Sequence, residues 1–267
     1  MNICVLLVPY DSGHYRARMG RGPQHLFESS IQPLLTRLQH DFRIEEITIP
    51  DSFPAEIKTA FALSAMVAER VRARYKEGWF PLVLSGNCNT AVGTVSGCGC
   101  ENTGVIWFDA HGEATTPETT TSGFLDGMGI SMLTGECWQT LALSIPGFQP
   151  MPGERIALVG SRDLEESECA LLDRVGVRRV ARAEDLNSWA RQVYTHFDLD
   201  VLDPQEAVWN QWTPPGGLTV DTLKNCVIHV RQRTTIAAAG FASYAPEADR
   251  DGRASRAAAA ILESLIS

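Results

Sequence analysis

Residues 104–113 have the sequence GVIWFDAHGE. It begins as a short apolar run typical of a buried strand and then turns polar at once. Two other stretches have the same form: PLVLSGNCN at residues 81–89 and VYTHFDLDVLDP at residues 193–204. Parallel strands meet at one edge of a sheet at their carboxyl ends, where ligands bind. The polar residues of the three stretches are therefore expected to form one site.

Strand-like and helix-like segments alternate along the chain. The apolar runs are Asn2–Val8, Glu45–Ile49, Pro81–Leu84, Gly104–Asp109, Arg155–Gly160, Val177–Val180, Val193–Asp200 and Ile236–Phe241. Helical periodicity is found at Gln24–Leu38, Pro54–Tyr75, Glu165–Val175, Val220–Arg231 and Ser255–Ile266. Strands that are apolar on both faces are typical of parallel sheets covered by helices. We therefore predict an α/β fold, a three-layer α-β-α sandwich with a mostly parallel eight-stranded sheet, as a single domain over residues 1–267.

Composition excludes several classes of protein. The chain has 267 residues, 44% hydrophobic and 21% charged, with a formal net charge of -9. This length is sufficient for one large α/β domain with a substantial core. An acidic balance, with 32 Asp and Glu against 23 Lys and Arg, argues against nucleic acid as a partner. No segment approaches the roughly 20 apolar residues needed to span a bilayer, so no membrane partner is expected.

The cysteines and the first residues favour a cytoplasmic location. The initial apolar run lacks a basic flank and meets Pro9 and Asp11 almost at once, unlike a secretory signal. The chain has seven cysteines, an odd number, and they are scattered through apolar surroundings. This distribution is typical of reduced thiols.

The polar residues after the strands are candidates for metal binding. In an extended chain, positions i, i+2 and i+4 share a face, so Asp109, His111 and Glu113 are expected to converge. Asp198 and Asp200 do the same from a second strand. Four carboxylates in one crevice repel each other unless cations neutralise them. Oxygen ligands with one imidazole suit Mn²⁺ above all, with Mg²⁺, Fe²⁺ or Zn²⁺ as alternatives. A solvated strand-end loop is the alternative for one motif taken alone, and two motifs together favour metal.

In order and spacing, these stretches resemble the ureohydrolase family of arginases, agmatinases and formimidoylglutamases. The family motif Gly-Gly-Asp-His-Ser is matched loosely by Ser85–Asn89, and Asp-Ala-His-x-Asp is matched by Asp109–Glu113. The arginase stretch Asn-Thr-Pro-x-Thr-Thr-Thr-Ser-Gly-Asn-Leu-His-Gly is matched by Thr115–Gly127, and Ser-x-Asp-x-Asp-x-x-Asp-Pro by His196–Pro204. The resemblance covers nearly the whole chain and implies an arginase-like fold.

The resemblance implies two Mn²⁺ ions that share a hydroxide, which attacks the amidino carbon of the substrate. The implied ligands are Cys88, Asp109, His111, Glu113, Asp198 and Asp200. Of these, Asp109 and Asp198 would bridge both ions. Cys88 and Glu113 would bind the same ion, where the family has His and Asp. A thiolate suits Zn²⁺ or Fe²⁺ better than Mn²⁺. The alternative is that Cys88 is a buried apolar residue and that the protein binds one metal ion or none.

The substrate pocket implied by the resemblance departs from that of arginase. Its candidate residues are Thr115, Ser122, Phe124, Glu165, Glu168 and Ser243. Phe124 replaces an Asn that grips the amino-acid carboxylate, and Ser243 replaces the Glu that holds the guanidinium. The loss of that Glu removes a charge-assisted hydrogen bond, so plain L-arginine is not the expected substrate. An N-hydroxylated arginine is less basic, and a Ser hydroxyl would suffice to bind it as a neutral group.

Three residues are candidates for catalytic steps. Glu113 would orient the attacking hydroxide. Asp126, where arginases have a His proton shuttle, or His196, where the family has Ser, would protonate the leaving amine. His196 has two other interpretations, an extra metal ligand or a packed neutral ring, and lone histidines are most often packed rings.

The predicted function is a metal-dependent hydrolase of a linear amidine or modified guanidino C–N bond, with an N-hydroxylated arginine as the best candidate substrate. The partner is thus a small molecule. The alternatives are an arginase-fold protein that binds without hydrolysis, its metal site being degenerate, and an enzyme with a single metal ion. Family analogy also implies a homo-oligomer, either a trimer or a hexamer.

Overall fold

A single parallel sheet organises the structure, a computed structural model that describes residues 1–50, 53, 55–181, 185, 186 and 190–267. The strands in this part of the chain are β1 (Asn2–Val8), β2 (Tyr10–Asp11), β3 (His14–Tyr15), β4 (Asp41–Glu46), β5 (Phe80–Ser85), β6 (Thr103–Phe108), β7 (Ile156–Val159), β8 (Arg178–Val180), β9 (Gln192–Asp198) and β10 (Thr235–Ala242). Eight strands pair in the order β4-β1-β5-β10-β9-β6-β7-β8, and every pairing is parallel. The predicted eight-stranded parallel sheet is confirmed.

Helices cover both faces of this sheet. They are α1 (Gly22–Leu26), α2 (Gln32–Arg37), α3 (Glu56–Lys76), α4 (Ala91–Cys98), α5 (Gly129–Leu133), α6 (Gln139–Ala142), α7 (Glu166–Val175), α8 (Val220–Arg231) and α9 (Arg253–Ile266). A π-helical segment, Phe27–Ile31, joins α1 to α2. Across the described residues, no helix combines the length and the apolar character that a membrane crossing requires.

The apolar residues form two clusters, one on each face of the sheet. Alternate residues of β1 belong to different clusters, because successive side chains of a strand point to opposite faces. Leu6 packs in the cluster that includes Val67 of α3, whereas Val5 packs in the cluster that includes Leu35 of α2 and Ile261 of α9. These two buried layers establish the predicted three-layer sandwich.

Some predicted boundaries were wrong. The strand predicted at Glu45–Ile49 lies at Asp41–Glu46, on the edge of the sheet, where a half-exposed strand does not need a continuous apolar run. The strand predicted at Val193–Asp200 ends at Asp198, whose side chain accepts a hydrogen bond from the Asp200 amide and starts a 3₁₀ turn. The helix predicted at Pro54–Tyr75 is observed at Glu56–Lys76, and Pro54 itself lies outside the described residues.

Arg162, in the loop after β7, holds the 3₁₀ turn that follows β9 against adjacent segments of the same polypeptide. Its guanidinium donates hydrogen bonds to the backbone carbonyl oxygens of Gly160, Asp200, Val201, Leu202, Pro214 and Pro215, at 2.7 to 3.3 Å. A planar guanidinium with several donors can satisfy many acceptors at once, which a Lys ammonium cannot do in the same geometry. Arg162 therefore fixes the backbone that carries Asp200.

Replacing Arg162 by Ala should lower the free energy of unfolding by at least ~2 kcal/mol, because several carbonyls lose a charged donor at once. Urea denaturation measures this change. The matched control is Arg179→Ala: Arg179 forms a surface ion pair with Asp173, and its loss should change stability by only ~0.5 kcal/mol. Equal effects of the two substitutions would show that Arg162 does not support the turn.

Candidate metal centre and substrate cavity

The four central strands of the sheet bring the predicted site residues together. Cys88 follows β5, Asp109 follows β6, Asp198 ends β9 and Ser243 follows β10, and these strands are neighbours in the sheet. A cavity of about 540 Å³ opens at the carboxyl ends of these strands. Its lining includes His111, Glu113, Thr115, Ser122, Phe124, Asp126, Glu165, Glu168, Asp198, Asp200 and Ser243. Cys88, Asp109 and His196 are fully buried, with relative exposures of 0 to 1%.

Asp109, His111 and Asp200 form the first group of candidate ligands. His111 Nδ1 lies 3.3 Å from Asp109 Oδ1 and 3.1 Å from Asp200 Oδ2. The second oxygen of each carboxylate accepts a hydrogen bond from a neighbouring group. Trp107 Nε1 donates to Asp109 Oδ2, and the amide of Ala110 donates to Asp200 Oδ1. Ligand atoms of the three residues lie within 4.8 Å of one another.

Cys88, Glu113 and Asp126 form a second group, whose ligand atoms also lie within 4.8 Å of one another. The expectation that Glu113 follows Asp109 and His111 along an extended chain is wrong. The strand ends at Phe108, and Glu113 has a left-handed backbone with φ of 53°. Its carboxylate therefore joins Cys88 and Asp126, and Glu113 Oε2 is buried without a hydrogen-bond partner.

Glu168 holds the loop that carries Glu113. Glu168 Oε1 accepts a hydrogen bond from the amide of Ala114, and Oε2 accepts one from the amide of Glu165 in the capping box of α7. A Cβ at Gly112 would lie 2.7 Å from Glu168 Oε1, so this approach needs glycine. Because both of its oxygens are already engaged by backbone, Glu168 supports the loop, whereas the sequence alone suggested that it binds substrate.

Asp126 and Ser243 meet beside the thiol of Cys88. Asp126 Oδ1 accepts a hydrogen bond from the Cys88 amide, and Oδ2 accepts one from Ser243 Oγ at 3.0 Å. Cys88 Sγ lies 3.2 Å from Ser243 Oγ and 3.5 Å from Asp198 Oδ2. The thiol therefore faces polar groups as well as the apolar core.

His196 is packed behind the same thiol. Its ring centroid lies 3.9 Å from that of Trp107, and its Nδ1 is 2.9 Å from the hydroxyl of Tyr194. Burial lowers the pKa of His196 to about 3, so the ring is neutral at ordinary pH. The remaining N–H of a neutral imidazole is only very weakly acidic, which argues against the acid role that the sequence left open for His196.

Burial also shifts the acids of the cleft. Desolvation, with the charge of Asp200, raises the pKa of Asp109 to about 6, and desolvation raises the pKa of Asp126 to about 7. The pKa of Glu113 and that of Asp198 rise well above their ordinary values, chiefly because both groups are buried. These carboxylates resist ionisation because the cleft has little positive charge to offset them.

His111 supplies the main counter-charge. Burial alone would lower its pKa, but the hydrogen bonds and charges of Asp109 and Asp200 prevail and raise it to about 12. Within the described residues, it is the only basic side chain that forms an ion pair with the buried ligand carboxylates. A metal ion that binds here must displace this proton, so binding should release protons.

The donor set fits divalent cations. Several buried carboxylates share one imidazolium, and two polar atoms beside them, Glu113 Oε2 and His196 Nε2, are among the buried atoms that have no hydrogen-bond partner within the described residues. Almost all buried polar atoms are hydrogen-bonded in native proteins, so such orphans call for a missing partner. The oxygen-rich first group suits hard ions such as Mn²⁺, and the group around Cys88 suits softer ions.

Sequence reasoning missed a group of residues at the cavity wall. Asp11 is buried, lines the cavity and pairs with Arg18, whose Nε lies 2.8 Å from Asp11 Oδ2. Asn87 donates to Asp11 at 3.5 Å. The signal was available, because Asp11 lies shortly after the end of the apolar strand β1. Trp212, in the loop after Pro204, also lines the cavity and contacts Phe124, with ring centroids 5.8 Å apart.

Comparisons with known proteins match the whole chain to one family. A family model described as "Arginase family" matches residues 1–267. The arginase of Bacillus caldovelox is 30% identical over 296 aligned positions, which cover 99% of this chain and 97% of that protein. The native structure of the Bacillus caldovelox arginase at pH 5.6 matches with a TM-score of 0.89 and 26% identity over 100% of this chain and 98% of the other. The arginase structure from Bacillus subtilis gives 0.88 and 26%, over 100% and 99%.

Removing metal ions with a chelator should make the stability of the protein fall as pH rises. Folding raises the pKa of Asp109 to about 6 and that of Asp126 to about 7, from an ordinary 3.8. Their contribution to stability is therefore complete below the ordinary value and is lost as pH rises through the folded values. The raised pKa of His111 acts in the same direction above pH 6.5.

Thermal unfolding of the chelated chain, followed from about pH 4 to about pH 8, measures this loss. Added Mn²⁺ should reduce it, because metal ions then neutralise the carboxylates in place of protons. A chelated protein whose melting temperature stays constant or rises over this range would contradict the described electrostatics of the cleft.

Proposed function

The chain belongs to the arginase family and is a hydrolase of C–N bonds in linear amidines, and we propose that its substrate is an N-hydroxylated arginine, not arginine itself. Hydrolysis would add water across the bond between the amidino carbon and the side-chain nitrogen. Ornithine and hydroxyurea would be the products.

The observation that carries this proposal is the environment of Ser243. The residue lies after β10, is 2% exposed, and turns its hydroxyl to Asp126 Oδ2 and Cys88 Sγ. At this position the family resemblance leads one to expect a Glu that pairs with the guanidinium. A hydroxyl cannot supply that charged hydrogen bond, which favours a less basic group that binds uncharged. An N-hydroxylated guanidine meets this requirement.

The residues that would hold two divalent ions are those at the strand ends. Asp109, His111 and Asp200 would hold one ion, for which we propose Mn²⁺, and Cys88 and Glu113 would take part in binding the other. Asp198 lies between the two groups. Its Oδ2 is 3.5 Å from Cys88 Sγ, and its other oxygen accepts a hydrogen bond from the Asp200 amide. When bound, the ions supply a water of lowered pKa as the nucleophile and polarise the amidino group.

Glu113 and Asp126 are the residues that we assign to orientation and proton transfer. Glu113 Oε2, which has no partner, is available to accept a hydrogen bond from the attacking water and so to aim it at the amidino carbon. Asp126 lines the cavity and shares Oδ2 with the Ser243 hydroxyl. A proton held on Asp126 Oδ2 would pass to the leaving amine as the C–N bond breaks.

The outer part of the cavity would hold the amino-acid end of the substrate. The rings of Phe124 and Trp212 form an apolar wall that suits the methylene chain. Ser122 and Glu165 lie at the rim, where Glu165 accepts a hydrogen bond from Thr121 and keeps acceptor capacity for an amino group. The hydroxyl of Thr115 donates to the carbonyl of Gly127, so Thr115 shapes the wall from behind.

The proposal is tested by measuring ornithine release by the Mn²⁺-loaded protein. We expect kcat/KM for N-hydroxyarginine to exceed that for arginine by at least about 100-fold, the scale of a lost charged contact of roughly 3 kcal/mol. Asp198→Asn should lose both metal and activity. The control Asp251→Asn, at an exposed carboxylate that pairs with Arg253 and does not line the cavity, should keep both. Arginine used as well as N-hydroxyarginine would refute the substrate, and a metal-loaded protein inert to both would favour a non-hydrolytic binding role.

Asp126→Asn should lower kcat by at least about 100-fold, because the amide cannot donate an acidic proton to the leaving group. Its metal content should stay unchanged, since the amide oxygen can still accept the hydrogen bond of the Cys88 backbone. Steady-state kinetics and elemental analysis of the same preparation check both points. A variant with full kcat, or one that loses a metal ion, would contradict the assignment of Asp126 as proton donor.

A further inference from the structure

His196 has no function in the hydrolysis described above, yet it is buried next to Cys88 and Asp109. It lies on β9, is 1% exposed, and packs against Trp107 on the neighbouring strand β6. Packing alone does not require an imidazole at this point, because an apolar ring would fill the same space without polar atoms to satisfy. The two ring nitrogens therefore need an explanation.

One nitrogen has a partner and the other has none. Nδ1 lies 2.9 Å from the hydroxyl of Tyr194, which is itself buried. Nε2 is buried and has no hydrogen-bond partner in the described chain. Histidines that bind metal commonly have this arrangement, with one nitrogen held by a neighbour and the lone pair of the other directed at the ion.

The neighbours of His196 supply the remaining donors. A ring nitrogen of His196, Cys88 Sγ and a carboxylate oxygen of Asp109 lie within 4.8 Å of one another. The three residues come from β9 and from the segments that follow β5 and β6, so the sheet holds them in fixed relative positions. The sulfur, nitrogen and oxygen donors together form a compact, fully buried set.

We propose that His196 binds a metal ion through Nε2 together with Cys88 and Asp109. Position 88 has a thiolate where the family resemblance implies an imidazole. In this proposal, His196 on β9 supplies an imidazole to the same ion. The inference rests on the metal-dependent function proposed above and assigns a ligand to the second ion. Sulfur and imidazole donors prefer Zn²⁺, Co²⁺ or Fe²⁺ to Mn²⁺, so this ion differs in kind from the one at Asp109, His111 and Asp200.

Co²⁺ is the probe, because a cobalt–thiolate bond gives a charge-transfer absorption band and the d–d bands report the ligand set. The chelated full-length chain is titrated with Co²⁺ and followed by absorption and by elemental analysis. We expect about two ions per chain and a charge-transfer band that Cys88→Ser abolishes. His196→Gln should weaken binding of the thiolate-bound ion by more than about 100-fold and change its d–d bands.

Two further variants test whether a loss of binding is specific to His196 and does not come from misfolding. Tyr194→Phe removes only the partner of Nδ1 and should weaken the same ion by about 10- to 100-fold, which applies even if His196→Gln does not fold. His25→Gln makes the same substitution at a residue that contacts Tyr244 outside the cleft, and it should leave the titration unchanged. Excess Mn²⁺ should displace Co²⁺ from the oxygen-rich group and leave the charge-transfer band in place.

The outcomes separate this inference from the proposed function. If His196→Gln and Tyr194→Phe bind Co²⁺ with the affinity and spectrum of the unmodified chain, His196 is a packed ring and the inference is overturned while hydrolysis stands. If the unmodified chain binds no Co²⁺, Zn²⁺ or Mn²⁺, both the inference and the metal-dependent hydrolysis fail. A selective loss of the thiolate-bound ion in both variants supports the inference.

Discussion

Several carboxylates are buried together at the carboxyl ends of the central strands, and the residues around them compensate for this burial. Asp109, Asp198 and Asp200 are at most 4% exposed and lie together, although like charges in a poorly solvated cleft repel each other. One imidazolium, that of His111, does not balance them. Such an arrangement is stable only if the acids take up protons or if cations bind, and divalent cations make the cleft chemically useful.

Hydrogen bonds from the surrounding structure hold one oxygen of Asp109 and one oxygen of Asp200, while the other oxygen of each faces His111 Nδ1. Trp107 takes one oxygen of Asp109, the amide of Ala110 takes one oxygen of Asp200, and Arg162 binds the backbone of the turn after β9. Metal sites in proteins have a similar arrangement, in which neighbouring groups fix the ligands by hydrogen bonds and the remaining lone pairs face the ion. At the rim of the cavity, Phe124 and Trp212 contact each other and form an apolar wall.

Much of the sheet could be predicted from the sequence, because its central strands are apolar on both faces and stop at polar residues. Helix α4 could not be predicted by periodicity, since all of its residues are buried and it has no polar face. Its packing depends on Gly93, where a Cβ would lie 2.3 Å from the Ser64 carbonyl oxygen. The direction of the Glu113 side chain depends on a left-handed backbone, and the environment of His196 depends on long-range contacts. Neither can be read from local spacing.

We propose that the residues at the strand ends form a centre for two metal ions of different preference. Anomalous diffraction from crystals grown with Mn²⁺ and Zn²⁺ together, collected at the absorption edge of each metal, locates both ions. We expect two peaks per chain, with the manganese signal between Asp109, His111 and Asp200 and the zinc signal within bonding distance of Cys88. A single peak, or no peak at the strand ends, would contradict it.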